Sequence, residues 1–264
     1  MFALSLLARR LARSAWPLLL GLAAGLCAAA DPKPLRIGIE GAYPPFSSVA
    51  PDGTVRGFDI DIADAVCAEL RRACTKLTLD FDGMIPALQA RKIDLVVASM
   101  AISPERLKVV DFSDKYYNTP ARFVARRDAG LQPTPQGLAG RTIGVQRGTV
   151  HERYAAARFT ASRIVRYAKQ DEVFLDLAAG RLDGTLCDSV AADQGFLKTP
   201  AGRAHAFVGP AFDDPAFFGS GAGIAMRKGD PLREAVNAAL RTLRANGSYQ
   251  RLQARYFDFD IYGR

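Results

Sequence analysis

The stretch Asp94 to Arg106, Asp-Leu-Val-Val-Ala-Ser-Met-Ala-Ile-Ser-Pro-Glu-Arg, carries the clearest chemical signal in the chain. Leu95, Val96 and Val97 read as a short buried strand that runs out at Ala98 and Ser99. Ser103 and Pro104 predict a helix start, as N-cap and first helical residue. Arg106 then falls in the first turn, where a cation opposes the helix dipole. One reading is a solvated arginine paired with Glu105. The other is a guanidinium waiting for an external carboxylate, beside backbone N–H groups at a helix start. Other chemistry is harder to find. There is no Walker loop, G-x-S-x-G, H-E-x-x-H or kinase signature. Gly219 to Gly223 resembles a phosphate loop only superficially, because Ile224 stands where the sixth-position glycine belongs. The acid pairs Asp80/Asp82 and Asp213/Asp214 read as solvated loops. His151 and His205 make no zinc site with the cysteines. No catalytic residue, metal or cofactor is therefore expected.

The elements around this stretch alternate. Leu35 to Ile39 is a strand ending at Glu40. A helix follows with Ile62, Val66 and Leu70 on one face, then a strand at Leu77 to Leu79 and a helix at Met84 to Arg91. The pattern restarts after Tyr117. A strand at Gly140 to Val145 ends at Gln146, a loop runs through Thr149, and His151 to Arg158 is a helix. Ile164 to Tyr167 is a strand, Val173 to Ala179 a helix, and Gly184 to Cys187 a strand that stops at Asp188. Alternation of this kind predicts parallel α/β sheets. The restart is a quasi-repeat. Ile37-Gly38-Ile39-Glu40 aligns with Ile143-Gly144-Val145-Gln146, and Ile93-Asp94 with Leu182-Asp183, which sets Ser99 against Asp188. Ligands of open α/β sheets bind beyond the carboxyl ends of strands. Glu40, Ser99, Gln146 and Asp188 are thus expected in one cleft between two similar lobes. The last stretch, with Leu232, Val236, Leu240 and Leu243 on one helix face, is expected to pack back on the first lobe.

The 264 residues are 49% hydrophobic and 23% charged, which suits one or two globular domains. Arg9, Arg10 and Arg13 precede an apolar run and Cys27-Ala-Ala-Ala30, the pattern of a secretory signal peptide over residues 1–30. Its removal takes away three arginines and no acid, so the formal charge falls from +8 to +5. The remaining positive charges are scattered, without a basic-aromatic stripe, which argues against nucleic acid. In an exported chain Cys67 and Cys74, seven apart, read as a disulfide. Cys187 is expected to be a buried free thiol.

The chain after the signal resembles the periplasmic solute-binding proteins of polar amino-acid ABC transporters, nearest to the lysine/arginine/ornithine- and histidine-binding proteins. The residues that carry the likeness include Tyr43-Pro-Pro-Phe46, Gly57-Phe-Asp-Ile-Asp61, the Cys67/Cys74 pair, Ser99 to Arg106, Asp111-Phe-Ser-Asp114 and Tyr256-Phe-Asp-Phe-Asp260. The resemblance implies an α/β, two-lobed, type II or Venus-flytrap fold with two hinge crossovers. Residues 31–118 and 222–264 would form lobe 1, and 119–221 lobe 2. It implies a monomer in the periplasm that binds a free L-amino acid and docks on an inner-membrane permease. Arg106 would hold the α-carboxylate, with backbone N–H groups near Ser99 and Val150. Asp188 would hold the α-ammonium beside the Ala98 carbonyl. Tyr43 and Phe81 would sandwich the side chain, and Glu40 would meet its far end. Ala101, Gln146, Thr149 and His151 complete the expected ligand set. Ala98 and Ala101 stand where these relatives usually carry serine, and Gln146, Arg147, Val150 and His151 also differ from their pattern.

Arg106 and Asp188 supply opposite charges, as the ends of a zwitterion require, so a third charge on the ligand needs another acid. Glu40 is that acid, which points to arginine, lysine or ornithine ahead of histidine. A neutral amide such as glutamine is the alternative there. Two rival functions share the fold: an enzyme resembling the cyclohexadienyl dehydratases and a soluble amino-acid sensor.

Overall fold

The structure, a computed structural model, describes residues 33–263. The expected signal peptide lies outside the described residues. Strand β1 (Leu35–Ile39) opens the chain and leads through three short strands, β2 (Ala42–Tyr43), β3 (Ser47–Val49) and β4 (Val55–Arg56), into helix α1 (Phe58–Glu69). Then come β5 (Cys74–Thr78), α2 (Met84–Gln89), β6 (Leu95–Val96), β7 (Val110–Tyr117), β8 (Ala121–Arg126), β9 (Thr142–Gln146) and α3 (Val150–Arg158). They are followed by β10 (Arg163–Tyr167), α4 (Gln170–Ala178), β11 (Gly184–Asp188), α5 (Ser189–Ala192), β12 (His205–Phe212) and α6 (Pro215–Phe218). The chain finishes with β13 (Ala222–Arg227), α7 (Leu232–Ala245) and α8 (Ser248–Gln253).

Two five-stranded sheets result, in the orders β5-β1-β6-β13-β7 and β10-β9-β11-β8-β12. Each sheet with its helices is one lobe, and the two orders match strand for strand. The quasi-repeat extends to packing. A Cβ on Gly38 would lie 2.7 Å from Ile93, and one on Gly144 would lie 2.4 Å from Leu182, so each glycine makes room for the equivalent apolar side chain. Asp94 accepts from the Arg36 N–H at 3.1 Å and Asp183 from the Thr142 N–H at 2.7 Å, fixing the same strand start in both lobes. Val236, Leu240, Leu243 and Tyr249 join β1, α1 and β13 in one buried cluster, so the tail packs against the first sheet and its helix α1.

Two expectations are corrected. The sheets are mixed rather than parallel, because β13 runs antiparallel to β6 and β7, and β8 antiparallel to β11 and β12. These strands sit where the chain passes between lobes and re-enters each sheet from its other end. The helix foreseen from Ser103 is only a 3-10 turn, Arg106–Lys108. Ser103 does accept from the Arg106 N–H at 3.4 Å. But Ser103 is buried and β7 begins at Val110, so the chain must rejoin the sheet before an α-helix can grow. Cys67 and Cys74 form a disulfide with Cα atoms 6.3 Å apart, and Cys187 is free and buried. No helix among the described residues is long and apolar enough to cross a membrane.

Candidate functional site

A cavity of about 310 Å³ lies between the two sheets, at the low end of the usual range for small-molecule sites. All twelve expected ligand residues line it. From the first lobe come Glu40 at the end of β1, Tyr43 in β2, Phe81, and Ala98, Ser99, Ala101 and Arg106 after β6. From the second come Gln146 at the end of β9, Thr149, Val150 and His151 at the start of α3, and Asp188 at the end of β11. Thr149 caps α3 by accepting from the Glu152 N–H at 3.1 Å. That cap turns the first-turn N–H groups of Val150 and His151, which have no intrahelical acceptor, to the start of the helix.

Arg106 is 9% exposed. Its Nη1 donates to the Ala101 carbonyl and its Nη2 to the Gly148 carbonyl, each at 3.0 Å, and its guanidinium lies 5.2 Å from the Phe81 ring centre. Two of five N–H groups are engaged in this way, which leaves a fork for an external carboxylate. Burial, with Arg153 nearby, pushes Arg106 down to about 10, so it stays charged at neutral pH. His151 packs 5.9 Å from Phe218, and burial with Arg106 pushes it down to about 3. It is therefore a neutral part of the wall.

The acids are distributed around the same cavity. Asp188 is buried, which raises its carboxyl, while Thr119 Oγ1 and the N–H groups of Ala191 and Val190 stabilise the charge. Glu40 is 4% exposed and accepts from Gln146 Nε2 at 2.6 Å, across the cleft. Burial pushes it up to about 7, with the Gln146 bond acting against that. Further bridges cross the cleft: Arg147 to Asp82 at 2.5 Å, Arg153 to Glu105, and Gln194 Nε2 donating to the Tyr256 carbonyl at 3.3 Å. The lobes are thus closed on each other.

Of the backbone N–H groups near Ser99, that of Ser99 itself is engaged, because it donates to Tyr116 Oη at 3.1 Å. The Ser99 hydroxyl donates in turn to Asp59 at 2.9 Å. Tyr117, Thr119 and Phe218 also line the cavity and were not foreseen. Tyr117 and Thr119 belong to the first crossover and Phe218 to the second, so only the assembled lobes bring them in. Among the described residues no group of three His, Cys, Asp or Glu side chains could hold a metal ion.

Residues 35–259 match the family described as bacterial extracellular solute-binding proteins, family 3. The L-arginine-binding protein of Pseudomonas aeruginosa is 52% identical over 238 residues, 89% of this chain and 92% of that protein. The lysine/arginine/ornithine-binding periplasmic protein of Escherichia coli is 43% identical over 254 residues, 93% and 98% of the two chains. A solved ancestral arginine-binding protein bound to arginine has a TM-score of 0.78 at 34% identity, over 84% of this chain and 97% of that one. The two-lobed fold, the lined cleft and these matches agree, and the chain belongs to the bacterial extracellular solute-binding proteins of family 3.

Proposed function

We propose that this protein is the periplasmic substrate-binding component of an amino-acid ABC transporter and that its ligand is a free cationic L-amino acid: arginine, lysine or ornithine ahead of histidine. The single observation that carries this is the charge set of one cavity. Arg106 and Asp188 match a zwitterion, and a buried Glu40 provides the third charge. Arg106, with first-turn N–H groups of α3, takes the α-carboxylate. Asp188 and the Ala98 carbonyl take the α-ammonium. Tyr43 and Phe81 flank the side chain, and Glu40, held by Gln146, meets its end. The related proteins that bind arginine, lysine and ornithine support the same ligand class.

Residues 31–118 with 222–264 act as one moving lobe and 119–221 as the other, hinged at the two crossovers. The closed form is favoured because the ligand touches both. The protein is a monomer, exported by its leader, and it delivers the ligand to a membrane permease without catalysing a reaction. Calorimetric titration of ligand-stripped protein against a panel of amino acids tests the reading. Arginine, lysine or ornithine should bind tightest. Preference for acidic or neutral amino acids, or turnover of prephenate or arogenate, would overturn it.

A further inference from the structure

Asp59, in the first turn of α1, is 1% exposed and lies behind the cavity wall rather than on it. Its two oxygens meet hydroxyls. Oδ1 accepts from Tyr116 Oη at 2.7 Å, and Oδ2 accepts from Ser99 Oγ at 2.9 Å. Tyr116 Oη accepts in turn from the Ser99 N–H at 3.1 Å. The three bonds close a ring around Ser99, which has φ +53°, a left-handed conformation that glycine adopts freely and other residues hold only with support.

The ring uses both donors of Ser99, N–H and O–H. Ser99 lines the cavity, and its oxygen has only lone pairs left to offer there, beside the Tyr117 hydroxyl that also hydrogen-bonds the Ser99 side chain. An acceptor-only oxygen on the wall shared with Asp188 suits an N–H donor and disfavours a carboxylate. Ala98 and Ala101 carry no hydroxyl, so in the run 98–101 this direction rests on Ser99 alone.

We infer that Asp59 is a positioning residue for the ligand's α-ammonium, acting through Ser99 and Tyr116 to fix the left-handed strand end and the hydroxyl direction together. The inference rests on the amino-acid reading above and deepens it. In Asp59→Asn the amide accepts at one atom and donates from the other. Either the Ser99 hydrogen turns toward the cleft or the Tyr116 hydroxyl loses its acceptor.

Calorimetry at pH 8 compares L-arginine with 5-guanidinopentanoate, which is arginine without the α-amino group. The variant should lose about tenfold or more in arginine affinity and about twofold or less for the analogue, so that discrimination narrows. Ser99→Gly keeps the left-handed backbone, removes the hydroxyl and should narrow discrimination likewise. Adding Asp59→Asn to it should bring no further narrowing. If Asp59→Asn fails to fold, Tyr116→Phe, which removes one link to the same carboxylate, should narrow discrimination partway. Equal losses for both ligands, or unchanged discrimination in these variants, overturn the role of Asp59 while leaving the amino-acid site standing. Failure of the unaltered protein to bind any of L-arginine, L-lysine and L-ornithine overturns that reading and this one together.

Discussion

Replacing Glu40 with glutamine isolates the charge that selects the ligand. Glu40 is 4% exposed and burial raises its carboxyl from 4.5 to about 7. At about 1.4 kcal/mol per unit, ionising it in the closed cleft costs about 3 kcal/mol more than in water. A guanidinium brought beside it offsets that cost and adds charge-assisted hydrogen bonds. Glu40→Gln keeps the shape, and a rotated amide can still accept from Gln146 Nε2. What it removes is the ionic part, about 2–3 kcal/mol. Arginine affinity should then fall about 30- to 150-fold, and glutamine affinity by about threefold or less. The pH dependence has a definite sign. In the closed cleft without ligand the carboxyl is protonated below about 7, and a bound cation holds it ionised. Arginine binding near pH 6 should therefore release about one proton, and affinity should rise more than tenfold from pH 5 to 7. His151, pushed down to about 3, stays neutral throughout that window. Asp59 is also raised to about 7, but it lies behind the wall, and glutamine titrated over the same range subtracts its contribution. In the closed form without ligand, stability from the raised Glu40 is complete below about 4.5 and lost as pH climbs through about 7. Calorimetry in two buffers of different ionisation enthalpy reads affinity and proton release together. Equal losses for arginine and glutamine, an unchanged arginine affinity, or no proton release would refute the assignment of Glu40.

Four further outcomes are expected. A Cβ on Gly195 would lie 3.1 Å from the Pro44 carbonyl oxygen across the cleft, so Gly195→Ala should obstruct closure. We expect arginine affinity to fall about three- to tenfold with an unchanged melting curve, since one modest steric clash is at stake; calorimetry with small-angle scattering measures both affinity and compaction. Arg106→Lys replaces a planar fork with a point charge and should weaken arginine binding about 100-fold or more, with little change for folding, as read by titration and circular dichroism. Cys67→Ser with Cys74→Ser should cost about 2–3 kcal/mol in urea unfolding. Cys187, whose thiol burial pushes far up, should resist alkylation until the protein unfolds, and adduct formation on the native protein would contradict its placement.

The cleft was legible because its residues end apolar strands. Leu35–Ile39 is followed at once by Glu40, and Thr142–Gln146 ends on Gln146, so a polar residue at the close of each short run marks the edge of the core. The strands β7 and β12 were harder to see. Val110–Tyr117 carries serine and aspartate inside a strand, and the buried Ser113 hydroxyl is satisfied by accepting from the Ile224 N–H at 2.9 Å and donating to the Asp114 carbonyl at 2.7 Å. The helix start at Ser103 was misread because its capping signals are local, whereas the early return to the sheet is tertiary. Asp59 gave no signal of its role. An acid in a helix's first turn looks like an ordinary partner for the dipole, and its own partners lie 40 and 57 residues away.

Strand β13 sits between β6 and β7, although it is made more than a hundred residues after either. During synthesis the second lobe, β8 to β12, has all its strands before β13 emerges. The first lobe has four of its five strands early and a gap in the middle of its sheet. Domains generally fold as units from the N-terminus, but here the N-terminal unit has to wait for the C-terminal one. Until residues 222–227 fill the slot, β6 has no partner on that side, and the apolar faces of β1 and α1 have no α7 to cover them. For the export proposed above this delay has a use, because about half of the chain cannot become compact until residues 222–264 have been made.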